Sequence, residues 1–205
     1  MINSLENKVI ERYIVQGIDD PLHLVPVVAD RSVVTEPLTP LNLTSGSEVT
    51  LYVSTPLWYR IEAGTNPVRL RDDYILRASD TWFGPSTREG ELCYASKTEG
   101  RIDLTAVPHR AERAVTAVTV RNELDTVLPL TRLSIPAPLL ALYADSSGML
   151  WTQDITLTNH DETDYAELLI EKGTPKYATA PKLVGPARTS GKQPGIIRAF
   201  GSMFR

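Results

Sequence analysis

A chain of 205 residues, 42% hydrophobic and 22% charged, is long enough to bury one large core or two small ones and has ordinary globular usage. No run approaches the roughly 20 apolar residues that a membrane-spanning helix needs. Met1 to Asp20 carries Glu6 and Glu11 and no apolar h-region, so no secretory leader is expected. A single cysteine, Cys93, excludes an internal disulfide and a multi-cysteine metal site, and a cytoplasmic location is the expectation. The net charge of −4 is unevenly spread. All 25 acidic residues lie at or before Glu171, whereas 7 of the 21 Lys and Arg residues follow it. An acidic body with a basic tail gives the tail either a contact of its own or a role in solubility.

The dominant pattern is short apolar runs of period two, rich in Val, Ile, Thr and Tyr and broken by Pro and Gly. Val9 to Val15 is the first. Leu22 to Val28 contains Pro26, which marks an edge strand or a bulge. Glu48 to Ser54 places Val49, Leu51 and Val53 on one face, and Leu57 to Glu62 follows. Arg101 to Val107 alternates Ile102, Leu104 and Ala106 against Asp103 and Thr105. Ala114 to Val120 is next. Leu139 to Ala144 and Leu150 to Leu157 flank a turn ending at Gly148, and Tyr165 to Glu171 is the last strand. No segment before residue 190 holds a helical period, and roughly 10–13 strands of this kind predict an all-β fold of antiparallel sheets packed as a β-sandwich or a barrel. A boundary near Pro108 would divide 1–107 from a smaller β region, 108–173.

Thr174 to Gln193 holds Pro175, Pro181, Gly185, Pro186 and Gly191 and predicts an extended linker. In 194–205, Ile196, Ile197, Phe200, Met203 and Phe204 fall on one face of a helical wheel, with Arg198, Ser202 and Arg205 away from it. This predicts a short amphipathic helix, although Gly201 costs it about 1 kcal/mol relative to Ala. So short a helix needs a surface to form on. The expected partner-binding residues are therefore Ile196, Ile197, Arg198, Phe200, Met203 and Phe204, on a membrane surface, on a partner protein or on a second copy. The competing expectation is that the segment docks on its own body. With a free tail, replacing Phe200 or Ile197 by Asp abolishes association without unfolding the body.

No catalytic constellation stands out. His23, His109 and His160 lie far apart and lack metal-ligand spacing. Cys93, between Leu92 and Tyr94, has no oriented base and occupies a strand position, so it is expected to be structural and buried. Asp19–Asp20, Asp72–Asp73 and the run Asp161 to Asp164 bring carboxylates close, but turns attract Asp for local reasons. No metal or cofactor is expected. Nucleotide-cradling glycine motifs and a nucleophile elbow are absent. Arg69, Arg71 and Arg77 form at most a small basic patch on an acidic body, so nucleic acid is not an expected partner. Trp58, Trp82 and Trp151 suit a β core.

Three stretches carry a resemblance: Leu51 to Leu57 (LYVSTPL), Phe83 to Tyr94 with its Gly-Glu-Leu-Cys-Tyr ending, and Leu142 to Thr152. Together with the Arg-Ala-Phe of the tail they resemble the domain-of-unknown-function family numbered 432, over most of Val25 to Glu171. The resemblance supplies no catalytic residues. It implies a cytosolic partner of small-conductance-type mechanosensitive channels, which members are often encoded beside. The expected function is thus a non-enzymatic binding or regulatory module that docks through its tail. The alternatives are a self-assembling structural subunit, or a ligand-binding sandwich with a site formed by distant loops.

Overall fold

The computed structural model describes residues 11–14, 21–161, 163–189 and 195–201. Over these the chain is all-β, with seventeen strands and two single-turn 3-10 segments, Leu104–Ala106 and Ala137–Leu139. In chain order the strands are β1 Leu22–Val28, β2 Val33–Thr35, β3 Leu41–Leu43, β4 Glu48–Ala63, β5 Val68–Tyr74, β6 Ser79–Phe83 and β7 Glu91–Ala95. There follow β8 Arg113–Asn122, β9 Leu128–Leu130, β10 Arg132–Ile135, β11 Leu142–Ala144, β12 Leu150–Thr152, β13 Ile155–Asn159 and β14 Tyr165–Ile170. The chain closes with β15 Lys182–Gly185, β16 Ile196–Arg198 and β17 Phe200–Gly201.

Strand β8 is the axis of a ten-stranded sheet. On one side it pairs antiparallel with β4, from Glu48 opposite Arg121 to Pro56 opposite Arg113. On the other side β12 and β13 lie end to end, both parallel to β8. The sheets are therefore mixed rather than purely antiparallel, and β2 and β7 are a third parallel pair. The expected single strand Leu150 to Leu157 divides at Gln153 and Asp154, whose side chains leave the ladder. Gln153 bonds the backbone of Ala141 and of Glu171, and Asp154 accepts the Lys176 amide at 3.0 Å. β4 runs 16 residues without a break, and its second half forms a three-stranded arm with β1 and β5.

The segment Arg101 to Val107 is not a strand. Asp103 accepts the Thr105 amide at 2.9 Å and caps a 3-10 turn. The strands β17-β10-β2-β7-β6 make a second sheet, and β3 and β9 a third. The main core draws on all three sheets. It takes Leu51, Val118, Ile155 and Leu168 from the first, Leu133, Ile135 and Phe200 from the second, and Leu43, Leu128 and Leu130 from the third. Strands β4 and β8, which lie on opposite sides of residue 107, share this core.

The expected linker is tied to the body over its described part. β15 extends the large sheet by pairing with β11. Arg188 donates through Nε to Val28 O at 2.5 Å and pairs through Nη1 with Asp72, which also meets Arg60 at 2.8 Å and Arg69 at 3.1 Å. Burial works to raise the Asp72 carboxyl, but the Arg60 bond and the Arg188 charge outweigh it and hold it below its usual range.

Candidate functional site

Over the described residues the expected C-terminal helix does not form: Ile196–Arg198 and Phe200–Gly201 are strands. β16 pairs with β14, with Ile197 opposite Ala166 and Arg198 opposite Tyr165. β17 pairs with β10, with Phe200 opposite Leu133. Between them the fully buried Ala199 crosses from one sheet to the other. Its amide and that of Phe200 both donate to Asp164 O at 3.0 Å, and its carbonyl accepts Ser134 N at 2.9 Å. The segment therefore clasps an edge of the large sheet to an edge of the five-stranded sheet. The physical reason is burial. A helix would present its apolar face to water, whereas these two short strands bury Ile197 in part, and Ala199 and Phe200 almost wholly, in the main core. Among the expected partner-binding residues, Ile196 is 69% exposed and Phe200 only 5%. Met203 and Phe204 lie outside the described residues.

Two adjoining grooves flank the clasp. The smaller, about 680 Å³, runs between Glu89–Glu91, Pro136, Pro138 and the clasp residues Ile197 and Arg198. The larger, about 1210 Å³, lies between Trp82, Val127, Pro129, Arg132, Phe200 and Gly201. Glu89, Tyr165 and Arg198 line both. Arg198 is the ridge between them. It donates through Nη2 to Tyr165 Oη at 2.7 Å, lies 4.7 Å from the centre of that ring, and faces Asp164 at 3.6 Å. Its side chain is only 12% exposed, so this ridge is held rather than mobile.

Phe83 does not itself line the larger groove but packs against two residues that do, Arg132 and Gly201. Fully buried in β6, it carries the Arg132 guanidinium over its ring at 5.5 Å. A Cβ added at Gly201 would lie 2.9 Å from its Cε2. Strands β6 and β17, the two ends of the five-stranded sheet, thus converge on one ring. The loop after β6 is pinched at its neck, where a Cβ on Gly84 would meet Glu89 O at 2.2 Å. The loop turns Trp82 outward, 42% exposed, with its indole donating to Ser86 O at 2.7 Å. The rim is apolar at Trp82 and Val127, and its charges, Arg132 and Arg198 against Glu89 and Asp164, balance.

The remaining candidates are drawn into structure. Cys93 is fully buried, and burial pushes its thiol up to about 12, away from thiolate chemistry. His160 sits between Glu123 at 3.1 Å and Glu167 at 3.0 Å. Asp161 accepts the Thr163 amide at 3.0 Å in a local turn, and Asp164 serves the clasp. Arg69 and Arg71 are neutralised by Asp72, Asp73 and Glu11. Trp151 is buried with its indole on Asp145, Trp58 packs among Tyr74, Tyr94 and Arg188, and Trp82 alone faces a groove. Among the described residues no group of three or more His, Cys, Asp or Glu side chains is placed to hold a metal ion, and no helix is long and apolar enough to cross a membrane.

An all-β body with a grooved, charge-balanced clasp is the class that fold and site define. The chain belongs to the family described as Protein of unknown function (DUF432), whose model matches residues 2–204. None of the curated proteins and none of the solved structures matches it.

Proposed function

We propose that this protein is a non-enzymatic binding module whose docking surface is the pair of grooves around the C-terminal clasp. The carrying observation is that Ile197, Arg198 and Phe200 line two adjoining grooves that meet at the Arg198–Tyr165 ridge. The occupant is an extended segment of a partner protein. The larger groove is bounded by the end strands β6 and β17 and offers Trp82 and Val127 as apolar anchors, as strand-addition sites do. A core shared by all three sheets supports reading the body as a sandwich, a rigid frame for that surface. That the partner is the cytosolic side of a mechanosensitive channel is supported by the family resemblance alone.

The test is site-specific photo-cross-linking in the native host. A cross-linker at Val127, in the groove, is expected to capture one partner, whereas one at Ile102, exposed elsewhere, does not. Val127→Asp is expected to weaken that partner's binding to the purified chain by tenfold or more. Equal capture from both positions, or unchanged affinity in the variant, overturns the reading. A second reading, self-association through the sheet edge, is favoured by the exposed Ile196 and Leu169 on β16 and β14. Mass in solution decides it: a concentration-dependent dimer that Ile196→Asp dissolves supports it, and a monomer at all concentrations does not.

A further inference from the structure

Residues 173–180, between β14 and β15, form a thin strap over the outer face of the large sheet. Leu51 and Val53 of β4 enter the main core, so Tyr52 between them points the other way, where it packs with Val115, Ala117 and Trp151. The strap lies on this second cluster. Tyr177 meets Tyr52 edge to face, with ring centres 5.1 Å apart, and Ala178 packs beside them. Near its two ends Tyr143 Oη donates to Gly173 O at 3.2 Å, and Ser146 N donates to Thr179 O at 2.9 Å. At its middle Lys176 N donates to Asp154 Oδ2 at 3.0 Å. Of the eight strap residues only Pro175 is buried, so apolar burial contributes little to holding it down. Both ends are left-handed, Gly173 at φ 98° and Ala180 at φ 49°. Ala180 carries a Cβ in that conformation, so the seated strap is strained at one end.

Beneath the strap lies Asp154, 6% exposed, whose Oδ1 is enclosed and has no hydrogen-bond partner. Burial raises this carboxyl and the Glu171 charge at the end of β14 adds to the rise, while the Lys176 amide and ammonium oppose it. Tyr52 on β4, bonded to Tyr177, feels the negative charges of both Asp154 and Asp103 and stays neutral up to about 12. A buried carboxylate with one oxygen unpartnered is costly. Two events relieve it. A proton can neutralise the group in place, or the strap can leave and let water reach Oδ1.

We propose that residues 173–180 are a proton-gated strap: it is seated while Asp154 is protonated, and loss of that proton to water lifts it, hydrating Oδ1 and uncovering Tyr52 and Trp151. Gly173 and Ala180 are the hinges. The folded carboxyl lies above its ordinary value, so the strap is seated at low pH and released as pH rises through the raised value. The strap is separate from the clasp grooves and does not rest on their reading.

The experiment follows hydrogen exchange at the Lys176 amide in the full chain, from the ordinary carboxylate value of 3.8 up to neutral pH, with each rate divided by the unprotected rate at that pH. Protection at Lys176 is expected to fall severalfold as pH rises through the raised Asp154 value, while Val118 in β8 keeps its own. Asp154→Asn, neutral at every pH, is expected to make the Lys176 profile flat. Glu171→Gln removes the neighbouring negative charge and is expected to move the fall to lower pH; it decides the matter should Asp154→Asn fail to fold. A flat wild-type profile, the same fall in Asp154→Asn, or an unmoved midpoint in Glu171→Gln overturns the proposal. So does a parallel loss of protection at Val118, which would mean opening of the whole body rather than of a strap.

Discussion

Phe200→Ala separates a clasp from a free tail. Phe200 is 5% exposed and sits in the main core with Leu133 of β10 and Leu168 of β14. Truncating a buried Phe costs about 3–5 kcal/mol through lost transfer energy and the cavity left behind. One side of this ring borders the larger groove, so the site can relax or take in water, and the lower end, about 3 kcal/mol, is expected. Against a total of roughly 5–15 kcal/mol for a folded domain this is a large fraction. With a urea slope of about 2 kcal/mol per molar, the unfolding midpoint falls by about 1.5 M. Ile196→Ala, at a position 69% exposed, is the reference and shifts stability by no more than about 0.5 kcal/mol. An unchanged midpoint for Phe200→Ala would refute the reasoning and restore the amphipathic tail.

Three further outcomes follow from the same geometry. Gly201→Ala forces a Cβ to 2.9 Å from the buried Phe83 ring, and calorimetry should show a loss of about 1–3 kcal/mol. His160 titrates above its ordinary value of 6.5, chiefly through its bond to Glu167; its stabilising contribution is full below 6.5 and disappears as pH rises through the higher folded value. Glu167→Gln should lower the midpoint seen by NMR. Burial raises the Asp154 carboxyl, whose Oδ1 is enclosed and unpartnered, so the folded state disfavours its charge. The wild-type chain should gain stability relative to Asp154→Asn as pH falls through the raised value toward 3.8, and a pH-independent difference would contradict this.

Much of the strand pattern was legible because alternation is a direct readout of a half-buried strand. β1 matches Leu22 to Val28, and β8 extends Ala114 to Val120 by one residue at its start and two at its end. What alternation cannot show is a local competitor or a distant partner. Asp103 caps a turn inside an otherwise strand-like run. β15 lies in a Pro- and Gly-rich stretch whose ladder partner is some forty residues away, and Arg188 meets Asp72 across 116 residues. The tail was ambiguous in principle. Ile196 to Phe200 fits one turn of an amphipathic helix, yet Ile197 and Ala199 also alternate with Ile196 and Arg198. Short apolar runs do not decide between the two periods, and flanking glycines at 195 and 201 were the signal for a strand. Of the partner-binding residues expected from the sequence, Ile197, Arg198 and Phe200 line the two grooves, and they do so in strands rather than in a helix. The other walls of the grooves, Trp82, Arg132 and Tyr165, come together only through sheet closure.

The most direct measurement is native-state hydrogen exchange on the amides of Ala199 and Phe200. Both donate to Asp164 O inside the clasp. They are expected to exchange only by large-scale opening, with protection close to that of Val118 and Val120 in β8. Exchange near the unprotected rate at both amides, while β8 stays protected, would mean that the C-terminal segment is free of the body and that the grooves it walls do not form.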